Sequence, residues 1–170
     1  MTQIRYILIG VVFLACCGCS DSFDASYATL DDARRAGAIS RGWIPECLPS
    51  SSREIREHHD IDINHGWMRF GFEPADSVVF LHAIRRVPDD SIRFLQLAIP
   101  SVPWWNSSLS PGRLPEASNE RGFLFFTLRY EETNEAGTVF TTDWRFALKL
   151  SEGVGYGWVT TAIRLKAAGA

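Results

Sequence analysis

The chain has 170 residues, 46% of them hydrophobic, with 17 Lys and Arg against 20 Asp and Glu and a formal net charge of −3 at pH 7. A chain of this length makes one domain of ordinary size, whose core needs no disulfide or metal staple. The acidic balance, with Lys149 and Lys166 the only lysines, leaves no dominant basic patch and argues against a nucleic-acid partner.

The amino terminus reads as an export leader. Arg5 precedes an apolar run over residues 7–15, followed by Cys16, Cys17, Gly18, Cys19 and Ser20. A positive start, an apolar core and small residues at a cut site are the parts of a secretory signal. The run stops short of the roughly 20 apolar residues of a spanning helix. Because the small-residue stretch ends on cysteine, the segment resembles the lipobox of bacterial lipoproteins. That resemblance implies a diacylglycerol on the cysteine thiol, cleavage just before it and acylation of the new amino terminus. Several acyl chains make such an anchor stable. Cys19 is the preferred site, with Gly18 before it and a polar Ser20-Asp21-Ser22 after it. Cys17 is the runner-up, having Leu14 three residues before it, while Cys16 has Ala15 before it and no leucine. The organisation expected is a leader over 1–18, a tether over 19–28 and a single globular domain over 29–166. Ser20 at the second mature position implies sorting to the outer membrane of a bacterial cell envelope, facing the periplasm. Cys47 is then the sole cysteine left and reads as a small buried residue. With Cys17 as the anchor, Cys19 is available to pair with it.

In chain order, Thr29 ahead of Leu30, Asp31 and Asp32 reads as a helix N-cap with acids in the first turn, and Gly37 closes the helix. Residues 42–49, carrying Trp43, Pro45 and Pro49, form an ordered connector. Ser51 with Glu54 three residues on reads as a capping box, which predicts a second helix over 52–58 with Ile55 facing inward. Residues 67–72 read as a strand. Pro74 and Asp76 open a helix predicted to run to about Val87, with Phe80, Leu81, Ile84 and Val87 as its apolar stripe and Arg85 and Arg86 near its C-terminal dipole. The run 92–99 suits a strand or a buried helix, and periodicity does not decide. Residues 123–130, 139–150 and 156–165 are β-rich, separated by turn compositions at 131–137 and 151–155. In the middle run Phe140, Trp144, Phe146, Leu148 and Leu150 share one face and Asp143, Arg145 and Lys149 the other, which predicts a sheet with one wet side. The expected fold is α+β: an antiparallel β-meander with one or two helices packed on one face, preceded by the cleaved leader.

The stretch from His58 to Gly66 contains the richest set of polar groups. Asp60, Asp62 and Asn64 occupy the first three ligand positions of a calcium loop. His65 stands where that loop has glycine and Gly71 where it has a bidentate glutamate, so the motif is incomplete. Ile61 and Ile63 alternating with the acids also suit an edge strand with solvated carboxylates. His58, His59, His65 and His82 invite a zinc reading, but no fourth ligand has zinc spacing. A helix C-terminus, which favours His side chains, accounts for His58 and His59. No G-x-S-x-G elbow is present and no two acids are singled out, so no catalytic residue and no cofactor is assigned. Trp104 and Trp105, bracketed by Pro100, Pro103 and Asn106, are the binding candidates, since adjacent indoles in a proline-rich loop supply interface area at low entropic cost. The alternative places them as a lid on the core.

Within residues 42–72, Trp43-Ile44-Pro45, Leu48-Pro49 with Ser51, and His58, Asp60, Asp62 and Asn64 at alternate positions precede an aromatic strand. This block, about a fifth of a single-domain chain, resembles the YbbD head-domain proteins found among small bacterial lipoproteins. The resemblance implies an envelope location and brings no activity or catalytic residue. The expected function is that of a non-enzymatic cell-envelope lipoprotein, joined to the membrane through its lipid, whose domain binds a protein or an envelope polymer. A lipid-anchored hydrolase and a periplasmic immunity or accessory protein are the alternatives. Metabolic labelling with a palmitate analogue is expected to mark the chain and to be lost in Cys19→Ala. Labelling that persists in that variant moves the anchor to Cys17 or Cys16.

Overall fold

Alternation of inward and outward side chains builds seven strands into one antiparallel sheet. The computed structural model describes residues 22–135 and 137–164, without the side chains of Ile163 and Arg164. The candidate lipid cysteines Cys16, Cys17 and Cys19 lie outside these residues. The strands are β1 (Ser22–Thr29), β2 (Arg53–Asp60), β3 (His65–Gly71), β4 (Arg85–Arg86), β5 (Leu124–Thr133), β6 (Val139–Lys149) and β7 (Val154–Arg164). Their spatial order is β1-β2-β3-β7-β6-β5-β4. Two meanders, β1 to β3 and β4 to β7, are therefore joined side by side through β3 and β7, with Trp67 opposite Trp158 and Phe70 opposite Gly155. The architecture is α+β, as the alternation in the C-terminal half predicts.

The segment expected as a tether is instead the edge strand β1 from Ser22 onward, paired with β2 from Ser22–Asp60 to Thr29–Arg53. The helix expected over 52–58 is strand β2. Ile55, Glu57 and His59 are buried at every second position, a period that a helix does not produce. Ser51 caps something else: its hydroxyl accepts from the Glu73 backbone N–H at 3.0 Å, while its own N–H donates to Asp76 at 2.7 Å. Helix-forming Arg and Glu side chains yield here to pairing on both sides, because tertiary context outweighs intrinsic propensity.

Helix α1 (Leu30–Arg35) forms as read, with Thr29 and Asp32 in a reciprocal capping box. The helix expected over 74–87 is broken into a 3₁₀ turn (Pro74–Asp76), a short α2 (Val78–Ala83) and β4. Ile84 is already extended, at φ −116° and ψ 154°. The break lets the chain pass around the β5 edge: Phe80 and Ile84 belong to the core on one face of the sheet, Val87 and Ile92 to the core on the other. The 92–99 run is neither strand nor helix. After a 3₁₀ segment (Asp89–Phe94) it lies as an irregular strap. Two sheet indoles hold it, Trp158 Nε1 donating to the Gln96 carbonyl at 2.8 Å and Trp67 Nε1 to the Ala98 carbonyl at 2.7 Å.

Both faces are consequently roofed. The first core is covered by α1, the 36–52 connector and α2 through Leu30, Ile44, Leu48 and Phe80. The second is covered by the strap and by α3 (Leu114–Arg121), which ends on left-handed Gly122 at φ 69°. Helices thus pack on both faces, not one, and the wet side expected of β6 is covered where Ala147 meets Phe125 and Tyr156. Asp143, Arg145 and Lys149 of that side lie outside this core. On the first face Phe70 lies across Gly155, where an added Cβ would sit 2.3 Å from Phe70 Cζ. Phe70 is fully buried against Phe72 and Phe80 and cannot swing away. Gly155→Ala is expected to destabilise the domain by about 1–3 kcal/mol through overpacking. In a urea titration the double variant with Phe70→Leu should recover part of that loss, and strict additivity would show that the two positions do not meet.

Candidate functional site

Two buried ionisable side chains, Glu57 and His59, lie beside the β1–β2 edge on the first face. Period-two geometry aims Glu57 and His59 into this face together with Phe23 and Tyr27 of the paired β1. The connector then folds back over them: Ala38 N–H bonds to the Ala33 carbonyl and Trp43 N–H to the Ala38 carbonyl, both at 3.0 Å. Gly42, at φ +76°, supplies the left-handed turn that delivers Trp43. The result is a stack of four groups. His59 lies between Trp43 (4.0 Å between centroids, 25°) and Phe23 (5.2 Å, 17°), and the Arg41 guanidinium covers the outer side of Trp43 at 4.0 Å.

Glu57 is 1% exposed and His59 6%. Tyr27 donates its hydroxyl hydrogen to Glu57 Oε1 at 3.0 Å. Glu57 Oε2 stands 3.7 Å from His59 Nδ1, too far for a hydrogen bond. That oxygen and both His59 ring nitrogens have no hydrogen-bond partner among the described residues, nor has the buried Nδ1 of His65. Burial, as the main cause, raises the Glu57 carboxyl above its ordinary value and lowers the His59 imidazole below its own. Burial and the neighbouring Glu57 push the Tyr27 phenol up to about 12. All three shifts favour the neutral forms.

Beside His59 opens a cavity of about 270 Å³, lined by Arg41, Trp43, Asp60, Asn64, His65 and Thr161 among others. A second hollow, of about 510 Å³, continues past Arg41 and Gly42 to Cys47, Tyr130 and Glu132. Cys47 is a free cysteine, partly buried, and burial raises its thiol to about 11. It is a packing residue that stays protonated.

The residues of the calcium-like motif shape the β2–β3 turn. Asp60 Oδ1 accepts from the N–H groups of Asp62 at 3.0 Å and Ile63 at 3.3 Å. Asn64 takes a positive φ of 51°, and its carbonyl accepts from Thr161 N–H at 3.2 Å. Among the described residues no group of three or more His, Cys, Asp or Glu is placed to hold a metal ion. His58 and His59 end a strand, not a helix, and point to opposite faces. His58 Nδ1 lies 3.1 Å from Asp24 Oδ1 and its ring 5.6 Å from that of Trp67, on the second face. Trp104 and Trp105 are half-buried against the second core, where Trp105 donates to the Leu109 carbonyl at 2.9 Å and meets Tyr156 edge-on at 5.6 Å. Sequence reasoning singled out His59 and His65 but missed Glu57 and Tyr27. The signal available was a glutamate sharing a two-residue period with Ile55.

A carboxyl whose folded pKa lies above its unfolded one burdens the fold only when it must ionise. The burden is absent below the ordinary value of 4.5 and grows as pH rises through the raised folded value. Glu57→Gln keeps the acceptor for Tyr27 and removes the charge. It is expected to raise the unfolding free energy read from urea titration at pH 7.5, by about 1.4 kcal/mol per unit of pKa displacement, and to have no such effect at pH 4. An equal gain at both pH values would show that the ionisation of Glu57 carries no part of it.

The YbbD head domain family matches residues 21–71, the span of β1, α1, the connector, β2 and β3. No curated protein and no solved structure matches the chain. The family match supports the likeness to YbbD head-domain proteins and encloses Phe23, Tyr27, Arg41, Trp43, Glu57, His59 and His65, while the second meander lies beyond it.

Proposed function

We propose that the chain is a non-enzymatic cell-envelope lipoprotein, held through Cys19 in the outer membrane on the periplasmic side, whose domain binds a protein or another envelope component. The observation that supports this reading is the cavity beside His59. Its walls carry the buried ring nitrogens of His59 and His65, which the described residues leave unsatisfied, and buried polar groups in that condition call for a ligand or ordered water. Exposed Arg41, the Trp43 edge, Asn64 and Thr161 add charge, apolar area and hydrogen-bonding groups of the kind a recognition site combines. The hydrolase alternative lacks a comparable argument.

Photo-crosslinking side chains placed at Asn64 and, separately, at Trp104 test the reading in intact cells. A discrete adduct with an envelope component at Asn64 is expected, and one at Trp104 would assign the tryptophan loop as a further interface. No adduct at either position, from a chain recovered in the membrane fraction, would overturn the binding reading. Capture of a secreted effector would turn it towards the immunity or accessory role.

A further inference from the structure

At the end of the sheet where the chain joins β1, three large apolar side chains stand in solvent: Phe23 at 51%, Ile61 at 52% and Ile63 at 53% exposed. They are neighbours by register. Ser22 is opposite Asp60 and Phe23 opposite His59, and the β2–β3 turn carrying Ile61 and Ile63 follows at once. We propose that this end of the domain rests on the phospholipid surface, with the two isoleucines and Phe23 at the depth of the lipid headgroups. The proposal rests on the lipid-anchored reading above and names its envelope component as the bilayer itself.

Chain length makes the case. With the lipid on Cys19, only three peptide steps separate the anchored residue from Ser22, a span of at most about 11 Å. The first strand therefore starts within one headgroup layer of the membrane, and the turn paired beside it is brought to the same level. Apolar side chains held there gain by leaving water. The polar groups at this end suit the same depth. Asp60 is engaged by the turn amides. The Asp62 carboxylate has no partner among the described residues and keeps the tip out of the hydrocarbon, where an unpaired carboxylate is costly. Exposed Arg41, on the wall of the adjoining cavity, is placed to meet a lipid phosphate. The β5–β6 hairpin leaves the sheet at this same end, but three strand intervals at about 20–25° each turn it away from the first turn.

Depth-dependent quenching tests the arrangement in the full chain, expressed with its leader, recovered lipidated and placed in phosphatidylethanolamine and phosphatidylglycerol vesicles containing spin-labelled lipid. In a Cys47→Ala background a bimane is attached at Ile61→Cys or Ile63→Cys and, as controls, at Val79→Cys or Phe94→Cys, which replace still more exposed apolar side chains on the two roofs of the sheet. Quenching at the two turn positions is expected to be at least twofold that at the controls. Equal quenching in a chain that carries its acyl label overturns the membrane contact alone. Absence of the acyl label overturns the anchored reading, and the proposal with it. A photo-crosslinker at Ile63 that captures a protein instead of lipid also overturns the contact, and would identify this tip as a protein-docking surface.

Discussion

The pairing of β3 with β7 turns two local meanders into one sheet, and the two cores are laid down on either side of it. Its register is held by shape. Phe70 lies across Gly155, Met68 packs over Gly157, and Gly66 makes room for Val159. Large side chains from one meander thus occupy the space that glycines of the other leave open, on the face where both contribute to the first core. A slip of one residue would turn Trp67 and Arg69 into that core and expel Met68 and Phe70. The glycines cost strand stability by themselves. Here the aromatic cover compensates for them, as cross-strand aromatics do for exposed glycines.

Once the seam is made, the chain has to cover both faces, and the route between them runs around β4. That strand is two residues long and pairs only with Thr127 and Phe126, enough to fix the turning point between Ile84 and Val87. The second roof has little regular structure, and sheet side chains hold it down. Trp67 and Trp158 face each other across the seam, and their indole N–H groups bind consecutive parts of the strap. An irregular segment can lie on an apolar face in this way because its carbonyls are satisfied from below.

The polar stack at the β1 edge has a different character. A carboxyl and an imidazole are buried side by side without a hydrogen bond between them, both shifted towards neutrality and roofed by Trp43. Hydrophobic replacements of similar volume commonly match or exceed the stability of such buried pairs, so stability alone does not account for them. They lie beside a cavity and next to the start of β1, the end that the proposed lipid anchor would hold at the membrane. The YbbD head-domain match covers this end of the molecule and stops at β3.

The sequence by itself determined the three long strands and the first helix cap. In β6 the even positions Trp144, Phe146 and Leu148 alternate with polar residues, and Thr29 with Asp32 is a local device needing no distant partner. It also carried the leader-like cysteine cluster. Strand β2 was not legible, because Arg, Glu and His at the outward positions obscure the two-residue period and Ser51 with Glu54 imitates a helix start. Strand β1 looked like a tether because an edge strand needs few apolar residues. Tertiary structure alone decided which meander edges would join, that both faces would be roofed, and that Phe23, Tyr27, Arg41, Trp43, Glu57 and His59 would meet. The physical reason is common to all three. Alternation along a strand states which residues share a face, while partner and cover are set by contacts between segments far apart in the chain, such as Phe70 with Gly155 and Trp43 with His59.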